Sequence, residues 1–105
     1  MLTLPIKKKW FDMIASGEKK EEYRDIKPYY SARLEKYLNK KHFLICFRNG
    51  YRTDSPKITA LVKLSIGKGN TEWGAEHNKK YYVLKILGIG SIGVLDFGMK
   101  MKGSE

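Results

Sequence analysis

The sequence predicts an α+β fold, a small barrel of about six short strands with two short helices. Three observations predict it. Apolar residues alternate at spacing two in several short runs, most clearly Ile58, Ala60, Val62, Leu64 and Ile66, the signature of strands with one buried face. Two stretches carry helical spacing instead, with Trp10, Met13 and Ile14 in the first and Tyr30, Leu34, Tyr37 and Leu38 in the second. The chain has 105 residues, the size of one domain, and such a chain buries roughly 60–70% of the surface it exposes when unfolded, enough for one core. Strands this numerous in so short a chain suit a small barrel better than a layered α/β fold.

Leu2, Leu4 and Ile6 form an opening strand, and Pro5 places it at an edge or ends it there. Residues from about Lys7 to Ser16 read as the first helix, widened by Phe11 and Ala15. Gly17 stops it, because a glycine just past the last apolar turn takes the left-handed conformation that closes a helix. A charged strand follows to about Ile26. Lys27-Pro28 breaks it and starts the second helix, which runs to about Leu38. His42 to Arg48 is almost continuously apolar and reads as a central strand covered on both faces, and Asn49-Gly50 is a turn signal. The alternating strand at Lys57 to Ile66 ends at Gly67-Lys68-Gly69-Asn70, a polar loop spans Thr71 to Lys80, and Tyr81 to Leu87 forms another strand. The domain is placed at residues 1–98, and the polar stretch from Met99 to Glu105 reads as a fraying tail.

Lys and Arg number 21 against 11 Asp and Glu, a formal charge of +10. That excess predicts attraction to a polyanion, with RNA the foremost partner; surplus lysine kept for solubility alone is the other reading. A membrane surface fits less well, since the lysines are spread from Lys7 to Lys102 with no strongly basic amphipathic helix carrying a large apolar face. Cys46 sits inside Phe43-Leu44-Ile45-Cys46-Phe47 as a buried small hydrophobe. With one cysteine and two distant histidines, His42 and His77, no metal is expected. Neither a signal peptide nor an apolar run approaching 18 residues is visible, so the expectation is a soluble, cytoplasmic protein.

Gly17-Glu18-Lys19-Lys20-Glu21-Glu22-Tyr23-Arg24 lies where the helical pattern gives way to the extended one. On a strand, Glu22 and Arg24 share one face about 7 Å apart. By charge alone this run is a solvated, salt-bridged strand. Its spacing, G-x-K-x-x-E-x-R, resembles the signature of the ASCH family, the activating signal cointegrator homology domains related to PUA domains. The leading strand, the glycine-terminated helix, the Phe47-Arg48-Asn49-Gly50-Tyr51 stretch and the late segment from Glu72 through Ile86 are also similar to small ASCH proteins often encoded by bacteria and their phages. The resemblance covers most of residues 2 to 90.

That resemblance implies a PUA-like β-barrel, where periodicity alone allows a generic α+β sheet. It also implies a cleft lined by Lys19, Glu22 and Arg24. In similar bacterial ASCH proteins the activity is amide hydrolysis of N4-acylated cytidine, relying on the motif lysine, a threonine three residues later and a distal glutamate. Here the residue three after Lys19 is Glu22, which removes the hydroxyl nucleophile, and the distal carboxylate is Glu72 or Glu76. Other ASCH proteins are associated with RNA cleavage. Lys19 and Glu22 are the candidate catalytic pair, a lysine with lowered pKa acting as base beside a carboxylate that relays the proton.

Arg48, Tyr51, Arg52 and Trp73 form a further group. Aromatics beside arginines in loops suit stacked bases and held phosphates; Trp73 reads equally well as a plug in one end of the barrel. Gly88-Ile89-Gly90-Ser91-Ile92-Gly93 matches G-x-G-x-x-G, but no helical segment follows, so no nucleotide cofactor is expected and the glycines read as a flexible turn or bulge. The reading reached is an RNA-binding, or RNA-derived nucleotide- or nucleoside-binding, domain with Lys19, Glu22, Arg24, Arg48, Tyr51, Arg52 and Trp73 as ligand contacts and Gly17 as structural support. The alternative is a metal-independent hydrolase of RNA or of an N4-acylated cytidine-type nucleoside.

Overall fold

The computed structural model describes residues 1–90. The elements in order are β1 (Leu2–Pro5), α1 (Lys8–Ala15), β2 (Glu21–Arg24), α2 (Pro28–Leu34) with a 3-10 turn at Glu35–Tyr37, β3 (Phe43–Arg48), β4 (Lys57–Lys68), a 3-10 turn at Thr71–Trp73, and β5 (Lys80–Gly90). The strands form one curled, mixed sheet in the order β1-β3-β4-β5-β2, a half-barrel. β1 runs parallel to β3, with Leu4 opposite Phe47, and every other pairing is antiparallel.

The sheet turns one face toward the helices. Leu4, Ile45, Phe47, Ile58, Ala60, Val62, Leu64, Tyr82 and Leu84 meet Ile14 of α1 and Leu34 of α2 in one buried cluster. β5 is buried on both sides: Tyr82 and Leu84 serve this core, while Tyr81 and Val83 join Tyr23, Ala75 and Trp73 in a smaller cluster on the opposite face. Curvature has a local source in a bulge, where Leu61 pairs with Gly88 and Val62 with Ile86, leaving Leu87 unopposed. An extra residue of this kind bends the strand and sharpens its twist.

Five strands lie within the described residues against the six expected. The charged strand ends at Arg24 rather than Ile26, and the second helix gives way to 3-10 geometry after Leu34. Ile66, placed on the core face by alternation, is 49% exposed. Gly88 and Gly90 belong to β5, beside its bulge, instead of a turn. Gly93 and the tail expected at 99–105 fall outside the described residues. Cys46 is buried as expected. Among the described residues no helix is long and apolar enough to cross a membrane.

Candidate functional site

The site begins with how α1 ends. Gly17 adopts φ +84°, a left-handed conformation that glycine reaches without steric cost. Its N–H donates to the Ile14 carbonyl at 3.1 Å, and the chain turns back so sharply that the Lys19 N–H donates to the Met13 carbonyl at 2.9 Å. Lys19 is thereby pinned beneath the last turn of α1 before β2 starts, with its side chain wholly enclosed.

Inside, the Lys19 ammonium donates to the Trp73 carbonyl at 2.6 Å and lies 3.3 Å from Oε1 of Glu22. It also sits 5.0 Å from the centre of the Trp10 ring and 4.9 Å from that of Tyr23, within cation–π range. Burial pushes its pKa below the usual lysine value, and the Glu22 carboxylate opposes that shift without cancelling it.

Glu22 and Arg24 stand opposite Leu84 and Tyr82 of β5, which places them on the concave, core-facing side of the sheet, since directly paired residues share a face. Oε2 of Glu22 accepts from Nε of Arg24 at 2.9 Å and from its Nη2 at 2.6 Å. Nη2 also donates to the Pro5 carbonyl at 2.8 Å, and Nη1 to the Tyr30 hydroxyl at 3.3 Å. Arg24 therefore ties β2 to β1, the two outermost strands of the sheet. The bland reading of a solvated charged strand fails, because Lys19, Glu22 and Arg24 are 1%, 6% and 8% exposed. Two cations share one carboxylate, so the group holds an excess positive charge largely removed from water, an arrangement that is costly unless well compensated.

A cleft of about 580 Å³ opens along this seam, lined by Trp10, Glu22, Tyr23, Arg24, Tyr30 and Tyr51 among others. Its volume falls in the range of small-molecule sites. Lys7, Asp25 and Lys27 also line it, and Asp25 is held by Lys79 at 3.1 Å. Burial raises the pKa of Tyr23, whose hydroxyl donates to Glu21 at 2.8 Å and accepts from the Asn70 N–H at the same distance.

The structure brings Lys19, Glu22 and Arg24 together, but of the three expected to line the cleft only Glu22 and Arg24 do so, joined by Tyr51, 82% exposed at the rim; Lys19 is enclosed behind Glu22. The remaining expected contacts lie elsewhere. Arg48 turns to the Gly50 carbonyl at 3.1 Å, and Arg52 is exposed and paired with Asp54 at 3.2 Å. Trp73 serves through its carbonyl, while its half-buried ring packs on the second cluster. Neither Glu72 nor Glu76 lines the cleft; both are exposed, and Glu76 sits 3.6 Å from Lys79.

Trp10 and Tyr30 are the walls that sequence reasoning assigned to helix packing. Both also touch the core, so their helical spacing reports the packed edge of each ring and hides the edge that faces the cleft. Lys7 and Lys27, the residues just before the two helices, carried no separate signal. Among the described residues no group of three or more His, Cys, Asp or Glu is placed to hold a metal ion. No family model, no curated protein and no solved structure matches the chain.

Proposed function

We propose that this protein is an ASCH-like domain with a PUA-like barrel that binds RNA, or a nucleotide or nucleoside derived from it, in the cleft between β1 and β2. The observation that carries the reading is the lining of that cleft, where the aromatic rings of Trp10, Tyr30 and Tyr51 stand with the cations of Lys7, Arg24 and Lys27. Flat rings offer stacking surfaces to any base and cations draw in phosphate, the combination used for single-stranded nucleic acid. The formal charge of +10 supports the same partner.

Binding is a better match than hydrolysis to the place of Lys19. A catalytic base must reach the proton it removes, and the Lys19 ammonium is fully enclosed with its contacts directed at Trp73 and Glu22. Its role in this reading is to hold the Glu22 carboxylate in place. Fluorescence anisotropy with a labelled, unstructured oligoribonucleotide tests the proposal. Affinity should fall steeply with salt, by a log–log slope of about −0.7 for each phosphate neutralised. Absence of binding at low salt, or an affinity indifferent to salt, would remove RNA as the partner.

A further inference from the structure

Arg24 carries five N–H donors, as every arginine does. Four of them are committed: Nε and one Nη2 hydrogen to Glu22, the other Nη2 hydrogen to the Pro5 carbonyl, and one Nη1 hydrogen to the Tyr30 hydroxyl. The second Nη1 hydrogen has no acceptor among the described residues, although the side chain is only 8% exposed and lines the cleft. The Tyr30 oxygen is used as an acceptor by Arg24, which leaves its own proton to donate. The two donors sit side by side, 3.3 Å between their heavy atoms, close enough to serve two oxygens of one tetrahedral or planar oxyanion.

The surrounding charge suits the same occupant. Arg24 at the cleft floor and Lys19 enclosed behind it, against Glu22, leave a surplus positive charge. Lys7 and Lys27 line the cleft, and Lys27 lies 5.6 Å from the centre of the Tyr30 ring. The two lining carboxylates are both countered, Glu22 by Lys19 and Arg24 and Asp25 by Lys79. An anion at the floor would therefore meet charge that the described residues do not themselves neutralise.

We infer that the floor of the cleft is a phosphate subsite formed by Nη1 of Arg24 and the hydroxyl of Tyr30, so that the preferred ligand is a nucleoside monophosphate or a phosphorylated RNA end, not a free nucleoside. This rests on the proposed nucleotide-binding role of the cleft and adds the group that is read most deeply. A phosphate there accepts two hydrogen bonds and meets that surplus positive charge, while the attached base reaches the aromatic rim.

The test is calorimetric titration of the intact chain with each of the four ribonucleosides, with its 5′-monophosphate, and with inorganic phosphate. The monophosphate should bind at least tenfold more tightly than the matching nucleoside. Tyr30→Phe, which keeps the ring and removes the donor, should erase most of that preference and leave nucleoside affinity within about twofold. Lys27→Ala should reduce monophosphate binding by a smaller factor. Equal affinities for nucleoside and monophosphate, or equal losses of both in Tyr30→Phe, would overturn the subsite while leaving nucleoside binding standing. Binding of inorganic phosphate that is lost in Tyr30→Phe, without any nucleotide preference over phosphate itself, would support the subsite and overturn the nucleotide reading. Failure of all three probes would overturn both.

Discussion

Replacing Lys19 separates a structural charge from a diffuse one, because Lys20 next to it carries the same charge on an exposed side chain. Lys19→Ala removes a fully enclosed ammonium, leaves the Trp73 carbonyl without its donor and opens a cavity between the Trp10 and Tyr23 rings. Arg24 still pairs with Glu22, so the cost is that of an unpaired buried carbonyl, about 1–3 kcal/mol, plus that of the cavity left by truncating a buried side chain to alanine, about 2–5 kcal/mol. Glu22 keeps two hydrogen bonds from Arg24, so the lower ends together, about 3 kcal/mol, are expected. For a domain of this size that corresponds to a Tm lowered by roughly 12–24 °C. Lys20→Ala should change stability by no more than about 0.5 kcal/mol. Lys19→Met adds a second comparison. It restores volume and leaves Glu22 and Arg24 as a neutral pair, so its cost should shrink to about 1–3 kcal/mol, the penalty of an unpaired buried carbonyl. Thermal unfolding followed by circular dichroism at neutral pH, with all three variants in one buffer, measures the series. Equal Tm shifts for Lys19→Ala and Lys20→Ala, or a Lys19→Met protein no more stable than Lys19→Ala, would refute the argument.

Two other outcomes follow from the same geometry. Gly17→Ala should cost on the order of 1 kcal/mol in denaturant unfolding through backbone strain alone, because φ is +84° and the nearest atom to an added Cβ is Nζ of Lys20 at 3.9 Å; an unchanged midpoint would show that the turn tolerates a side chain. Stability should also vary with pH on the alkaline side. Lys19 has a folded pKa below the 10.5 of a free lysine, so between the two values the unfolded chain binds the extra proton and stability rises with pH. Tyr23 has a folded pKa above the 10.0 of a free tyrosine, so beyond that pH the folded chain holds the extra proton and stability falls. Urea unfolding between pH 7 and 11 should show the rise and then the reversal, and Lys19→Met should lose its contribution to the rise.

Much of the fold was legible because burial and periodicity agree where a single face is packed. The alternation in β4 and the continuous apolar run of β3 marked both strands, and Gly17 marked the end of α1 through its conformational requirement. The junction of Lys19, Glu22 and Arg24 was visible as a spacing, but not as a buried cluster. A charged run carries no local mark of its surroundings, and what buries this one is distant in sequence: the Trp73 carbonyl, the Pro5 carbonyl and the face of β5. The same limit explains Arg48 and Arg52. They lie near Tyr51 in sequence, yet their nearest partners are the Gly50 carbonyl and Asp54, so proximity along the chain placed them with a site they do not line.

The contact from Arg24 to the Pro5 carbonyl bears on how the molecule avoids its own kind. Among the described residues β1 and β2 each have a neighbour on one side alone, and an outermost strand with free N–H and C=O groups is a template onto which another chain can add. Here both strands are four residues long, β1 contains a proline, and the guanidinium holds β2 against β1 across the gap. An incoming strand would have to displace an ion-paired arginine to reach the Pro5 carbonyl. Substituting Arg24 would then free the Pro5 carbonyl at the margin of β1, and self-association would join any loss of the proposed binding as a consequence.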